Sequence, residues 1–300
     1  MYNLLRLSNS HKATLVTLTG MILIWYQLGM NEILLLMTSI VAGILGALLG
    51  LGGGIIIIPF LTLAYGIDIR YAIAASLISI VATSSGAAAS YLRDSLTNLR
   101  LGVLLEIGTV TGAIVGFLLA TYIKSQFLFL LFGVFLLFSA ISMLRSREEH
   151  ISKTNHPWAD KLNLDSTFPD GKGGQIAYKV EKVPLGLFLM FIAGILSALL
   201  GIGSGILKVL AMDGAMKLPI KVSSATSNFM IGVTASASAG AYFLRGDVRP
   251  EIAAPVSVGI IIGSFFGAKL MVKLPSGLIR KIFVVVLAIV SVQMIVKGLQ

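Results

Sequence analysis

Two runs of glycine interrupt two apolar stretches of this 300-residue chain. The first is Gly50-Leu51-Gly52-Gly53-Gly54, and the second, 151 positions later, is Gly201-Ile202-Gly203-Ser204-Gly205. In hydrocarbon an unpaired backbone amide or carbonyl is costly, so irregular backbone survives there only against protein or a water-filled cavity. A helix that restarts after each break, near Ile55 and near Ile206, offers free N–H groups and the positive end of a helix dipole. Glycine also lets the backbone approach a ligand with no Cβ in the way. The chemistry this suits is recognition of an anion by main-chain donors. Gly52, Gly53 and Gly54 would donate from one break, and Gly203, Ser204 and Gly205 from the other. Tight helix packing is the competing account, but packing alone does not call for four glycines in five residues.

Side chains near the breaks add to this set. After the first break come Ser76, Ser79, Thr83, Ser84, Ser85 and Ser90; after the second come Ser223, Ser224, Thr226, Ser227, Asn228, Thr234, Ser236 and Ser238. Three pairs match at the same offset: Ser76/Ser227, Thr83/Thr234 and Ser85/Ser236. Small hydroxyl residues also help helices pack, and for most of the set packing is the better account. Ser76, Thr226, Ser227 and Asn228 are the candidate ligands among them. Asn228 matches Leu77, so any site is asymmetric. Two charges stand inside apolar segments, where a charge is by default a functional candidate. Lys208 lies three residues past Gly205 and can balance an anion's charge. Glu106 can carry a proton for coupling. Either can instead pair structurally or reach an interface.

The elements that hold these residues are helices in a bilayer. The chain is 56% hydrophobic and 12% charged, too few polar groups to cover a soluble protein of this length. Apolar runs at Ala13–Leu28, Tyr71–Leu92, Leu101–Ile123, Phe127–Leu144, Ile252–Val272 and Leu278–Val296 are of membrane-spanning length. The net charge of +10 comes mostly from segment ends and one loop, which fits membrane orientation rather than nucleic-acid binding. With no cysteine and all three histidines outside the apolar runs, no metal site and no cofactor are expected. An intramembrane enzyme ranks last, because Glu106 has no evident His or Cys partner in the apolar runs. Arg6 and Lys12 precede the first apolar run as in a signal peptide, but no small-residue cleavage site follows. An uncleaved extra helix is expected there.

The sequence is internally duplicated. Ala42–Ile55 aligns without gaps on Ala193–Ile206, with 11 of 14 positions identical. The fold expected is an all-α polytopic membrane protein of two homologous repeats. Its parts are an N-terminal tail and extra helix (1–32), repeat A (33–145), a polar cytoplasmic linker (146–184) and repeat B (185–300). If each broken element, 33–66 and 185–216, crosses the membrane once, the 23 Lys and Arg divide 11 to 12 between the two faces. If each is a re-entrant hairpin, only Arg70, Lys124, Arg245, Arg249 and Lys297 remain outside. Positive-inside bias therefore favours hairpins and inverted repeats, each hairpin followed by three full spans. The ladders Gly108/Gly112/Gly116 and Gly259/Gly263/Gly267 line one helix face each and predict close helix packing. The linker, with its Asp170-Gly171-Lys172-Gly173-Gly174 turn signals, reads as a solvated tether with a short strand at Val180–Val183.

The segments Ala42-Gly43-Ile44-Leu45, Gly50-Leu51-Gly52-Gly53-Gly54 with Pro59, and Ala74-Ala75-Ser76, with a second copy running to Ala225-Thr226-Ser227, resemble the TauE/SafE sulfite-exporter family, also called TSUP. The second copy departs in having Ser204 for the third glycine and Leu210 for Pro59; Lys208 is not part of the family pattern. The resemblance implies a secondary transporter in the cell membrane, working on sulfite or an organosulfonate such as sulfoacetate. Another small organic anion, or an anion channel, is the alternative. The partners expected are the small anion and membrane lipid, with no nucleic acid. The extra N-terminal helix is a candidate homodimer surface.

Overall fold

The computed structural model describes residues 32–45, 54–93, 95–144, 156–169, 174–271 and 276–300. The apolar run 13–28, Gly52 and Gly53 lie outside the described residues. The helices are α1 Glu32–Leu45, α2 Gly54–Leu63, α3 Ile69–Arg93, α4 Leu99–Tyr122, α5 Ser125–Leu144, α6 Pro157–Lys161, α7 Val183–Leu200, α8 Gly205–Leu210, α9 Ile220–Arg245, α10 Pro250–Met271 and α11 Ser276–Leu299. The strands β1 Ser166–Pro169 and β2 Gln175–Tyr178 lie between α6 and α7. The protein is an all-α multi-pass membrane protein.

Helix starts follow from local sequence. Asn98 caps α4 by accepting from the Leu101 amide at 3.1 Å. Asp68 accepts from the Arg70 amide at 2.9 Å ahead of α3. Pro184 in the first turn of α7 and Pro250 at the first position of α10 stand where no N–H is needed. α4, α5, α7 and α10 carry windows apolar enough to cross a membrane. Their outer faces expose Val103, Ile107, Phe138, Phe188, Phe265 and Phe266. α3 and α9, with 25 and 26 residues, are about 37–39 Å long at the α-helical rise, ample for a bilayer. They are richer in Ser, Thr and Ala because they pack on each other in the centre and bury much of their polar surface on protein.

The 151-residue offset reappears in the packing. A Cβ on Gly108, Gly112 or Gly116 of α4 would meet the carbonyls of Leu187, Phe191 and Ile195 of α7 at 2.8, 2.1 and 2.5 Å. A Cβ on Gly259 or Gly263 of α10 would meet those of Leu36 and Ile40 of α1 at 2.6 and 2.1 Å. Each residue of the second set sits 151 positions from its counterpart in the first. The first helix of each half therefore packs against the other half, and Gly108, Gly112, Gly116, Gly259 and Gly263 serve close packing, as expected.

The contacts also fix which ends coincide. Glu181 N–H donates to Met216 O at 3.1 Å, and Gly186 faces Met216. The chain therefore enters through α7 and returns through α8 and a π-turn, Ala211–Ala215, to the end where it began. α1 runs alongside α10 in the same direction and begins at the opposite end; α2 finishes at that opposite end too, where Lys297 Nζ donates to Thr62 O. α1 begins and α2 ends at one end of the molecule, while α7 begins and the π-turn after α8 ends at the other. The five cations set apart by the charge count gather at the α1 end. Arg70 donates to Ile123 O, next to Lys124, at 2.9 Å, Arg245 to Thr121 Oγ1 at 2.9 Å, and Arg249 lies 4.1 Å over the Tyr71 ring.

The linker departs from expectation. It is not a free tether: Ala159, Leu164, Phe168, Tyr178 and Val180 are buried in one cluster with Leu101, Met212, Met216 and Val222. Its strand is Gln175–Tyr178 rather than Val180–Val183, paired antiparallel with β1 in the register Ser166↔Tyr178. The two strands flank the turn signals in the sequence, and Pro184 commits Val183 to the start of α7 instead. Asn98 Nδ2 donates to Leu164 O at 2.8 Å and to Tyr178 Oη at 2.9 Å, tying the α3–α4 loop to the linker.

Candidate functional site

α7 ends at Gly201, whose N–H caps the helix by donating to Ser197 O at 2.9 Å. Gly201, Gly203 and Ser204 all take positive φ, at 65°, 68° and 51°. This left-handed path turns the chain back within four residues. Sterics demand small residues here as well. A Cβ at Gly201 would lie 2.9 Å from Ile73 Cγ2, and one at Gly203 or Gly205 would lie 2.8 or 2.6 Å from Ile231. Ser204 is the exception among the glycines, a side chain in a glycine conformation. It is 1% exposed, stands at the cap position of α8 without capping it, and its Oγ has no hydrogen-bond partner.

The start of α2 meets this break. Gly54 starts α2, and a Cβ there would fall 2.6 Å from Ser76 Oγ and 3.0 Å from Gly201 O. Ser76 Oγ donates to Gly201 O at 2.7 Å, and Ser227, its counterpart, donates to Gly205 O at 3.2 Å. Gly54, Ser76, Gly203, Ser204, Gly205 and Ser227 therefore come together where the hairpin tip meets the start of α2. Two further candidates are engaged elsewhere. Thr226 Oγ1 accepts the Asn98 amide at 3.0 Å, toward α4. Asn228 is half-buried and donates to Ser224 O in its own helix at 3.0 Å.

Lys208 and Glu106, separate candidates in the sequence, form one ion pair. Lys208 Nζ lies 3.3 Å from Glu106 Oε1 and also donates to Thr234 Oγ1. Thr234 Oγ1 lies 3.0 and 3.1 Å from the two Glu106 oxygens. The Lys208 side chain is fully buried and that of Glu106 is 9% exposed. Thr234 drew notice in the sequence only as a hydroxyl matched to Thr83. The signal for the pair was available: opposite charges stranded in apolar segments are each other's cheapest partners.

Long apolar helices packed around a junction of buried polar groups are the build of a multi-pass membrane protein. The profile of the family described as sulfite exporter TauE/SafE matches residues 35–294, and the chain belongs to that family. It is 28% identical over 278 residues to the probable membrane transporter protein YunE of Bacillus subtilis, covering 90% of this chain and 99% of that protein. A probable membrane transporter protein of Methanocaldococcus jannaschii is 29% identical over 258 residues, covering 80% and 86%. YdhB, also of Bacillus subtilis and also named a probable membrane transporter protein, is 25% identical over 247 residues, covering 82% and 93%. No solved structure matches the chain. The protein is an integral, multi-pass transporter of the cell membrane.

Proposed function

We propose that the protein moves a small sulfur-containing anion, sulfite or an organosulfonate such as sulfoacetate, by alternating access. The carrying observation is the junction at Ser76, where the start of α2 meets the tip of the α7–α8 hairpin. Backbone N–H groups at Gly203, Ser204 and Gly205, with those at Gly52, Gly53 and Gly54, would hold the sulfonate oxygens. The unpartnered Ser204 hydroxyl would join them. With the linker end cytoplasmic, 33–145 and 185–300 act as inverted repeats that rock about this junction, joined through 146–184. The sulfur anion itself rests on the family description, since backbone donors alone do not separate a sulfonate from a carboxylate.

The experiment is counterflow in proteoliposomes loaded with sulfite, sulfoacetate, isethionate, sulfate, acetate or pyruvate. Saturable exchange confined to sulfite and the sulfonates is expected. Exchange of carboxylates alone would replace the substrate class, and unsaturable flux without counterflow would replace the transporter with a channel.

A further inference from the structure

The Glu106–Lys208 pair exists in one half of a duplicated structure, and the other half shows what the junction looks like without it. The residues 151 positions away from Glu106, Lys208 and Thr234 are Ser257, Ile57 and Thr83. Ile57 is fully buried, Ser257 Oγ is buried with no partner, and Thr83 bonds back into its own helix. The matched glycine contacts of α4 on α7 and of α10 on α1 occur in both halves, so a buried ion pair is not needed to make them. Buried pairs can generally be replaced by apolar residues at little cost to stability. A buried ion pair present where its counterpart is uncharged points to another role.

Charge arithmetic supplies one. The ion pair is neutral, so an anion entering the tip leaves one negative charge uncompensated in a low-dielectric site, at heavy cost. One proton restores neutrality. From α8 the group facing Glu106 is Lys208, and from α9 it is Thr234. The α7 face beside α4 presents Leu187, Met190 and Phe191. Among the described residues, Lys208 is the one charged group within ion-pair distance of Glu106. Helical side chains lean toward the N-terminus of their helix, so Lys208 leans toward the Ser204–Gly205 start of α8.

We propose that Glu106 is the proton site of an anion–proton co-transport cycle and that Lys208 is the charge it releases. With Glu106 ionised, Lys208 is held by the carboxylate. When Glu106 takes up a proton, the carboxyl becomes neutral and the ammonium is free to face an anion at the tip. Anion and proton then move together, one proton per anion, and for a monovalent anion no net charge crosses the membrane. This inference rests on the anion-transport reading above.

The test uses isethionate, a monovalent sulfonate that does not itself titrate, in proteoliposomes of the full chain. Counterflow without a gradient reads transport, and uptake under an imposed pH difference with the membrane potential clamped at zero reads coupling. For the wild type, counterflow is expected, and one unit of pH difference should give about tenfold accumulation at one proton per anion. Glu106→Gln mimics the protonated acid. It should retain slowed counterflow, independent of pH, and lose accumulation. The double variant Glu106→Ser, Lys208→Ile copies the other half and should fold with a melting point close to that of the wild type, yet lose accumulation. Wild-type counterflow without gradient-driven accumulation, or accumulation that survives in either variant, would overturn the proton site. No wild-type counterflow would overturn the transport reading itself, and the proton site with it.

Discussion

Ser76 Oγ donates to Gly201 O at 2.7 Å, across 125 positions of sequence. The bond ties α3 to the hairpin break formed by α7 and α8, so the two halves of the duplication meet at a polar contact in the protein interior. Ser76→Ala would leave the Gly201 carbonyl buried and unpaired. Stability should fall by about 1–3 kcal/mol, read as a lower melting temperature in detergent. Ser79→Ala removes a hydroxyl that bonds within its own helix and should shift melting far less.

The glycine ladders predict a contrast between buried and open glycines. A Cβ at Gly112 would sit 2.1 Å from the Phe191 carbonyl, and nothing lies within 4 Å of one at Gly240. Gly112→Ala must push α4 off α7 and should cost about 1–3 kcal/mol or more, seen as loss of a monodisperse peak in size-exclusion chromatography. Gly240→Ala, in the C-terminal part of α9, should be neutral or stabilising by about 0.5–1 kcal/mol.

Ser204 should behave in opposite ways with two substitutions. Its φ of 51° strains any side chain, by roughly 1–2 kcal/mol for left-handed backbone. Ser204→Gly, the residue at the matching position of the other half, should fold at least as stably as the wild type. Ser204→Leu puts a bulky side chain at a 1% exposed tip and should abolish counterflow while the protein still inserts in the membrane. Wild-type flux in Ser204→Leu would remove the tip as the binding site.

The linker carries its own pH dependence. Burial among Phe168 and its neighbours pushes the Tyr178 hydroxyl above its ordinary pKa of 10.0, against the smaller opposing effect of the bond from Asn98. The folded state therefore holds this proton more tightly than the unfolded chain. Its contribution is complete below pH 10 and is lost as pH rises above that value. Hydrogen-exchange protection of the buried linker residues, taken relative to the base-catalysed intrinsic rate, should fall in that alkaline range for the wild type. Tyr178→Phe, with no proton to lose, should keep its protection there.

Much of this was legible in the sequence because membrane-spanning structure is written in local pattern. The runs Leu101–Ile123 and Phe127–Leu144 became α4 and α5 within two residues at each end. The distribution of charge was legible as well: Arg70, Lys124, Arg245, Arg249 and Lys297 were singled out by a count and stand at one end of the molecule. What stayed hidden depends on distant contacts. Glu106 and Lys208 are 102 positions apart, and no periodicity couples them. Thr226 and Asn228 sit beside Ser227 in sequence, but successive residues of a helix face different neighbours, and those two are engaged by the Asn98 loop and by α9 itself. The docked β-hairpin was missed because its turn signals flank strands of four residues each.

The central claim is that an anion binds at the hairpin tip and that the tip is open to each side of the membrane in turn. The chain contains no cysteine, so Ser204→Cys gives a single thiol at the tip without further engineering. A membrane-impermeant maleimide should label it from either face of oriented vesicles, and sulfoacetate should slow labelling from both. Labelling from one face alone, or labelling that sulfoacetate leaves unchanged in protein that still transports, would contradict the account.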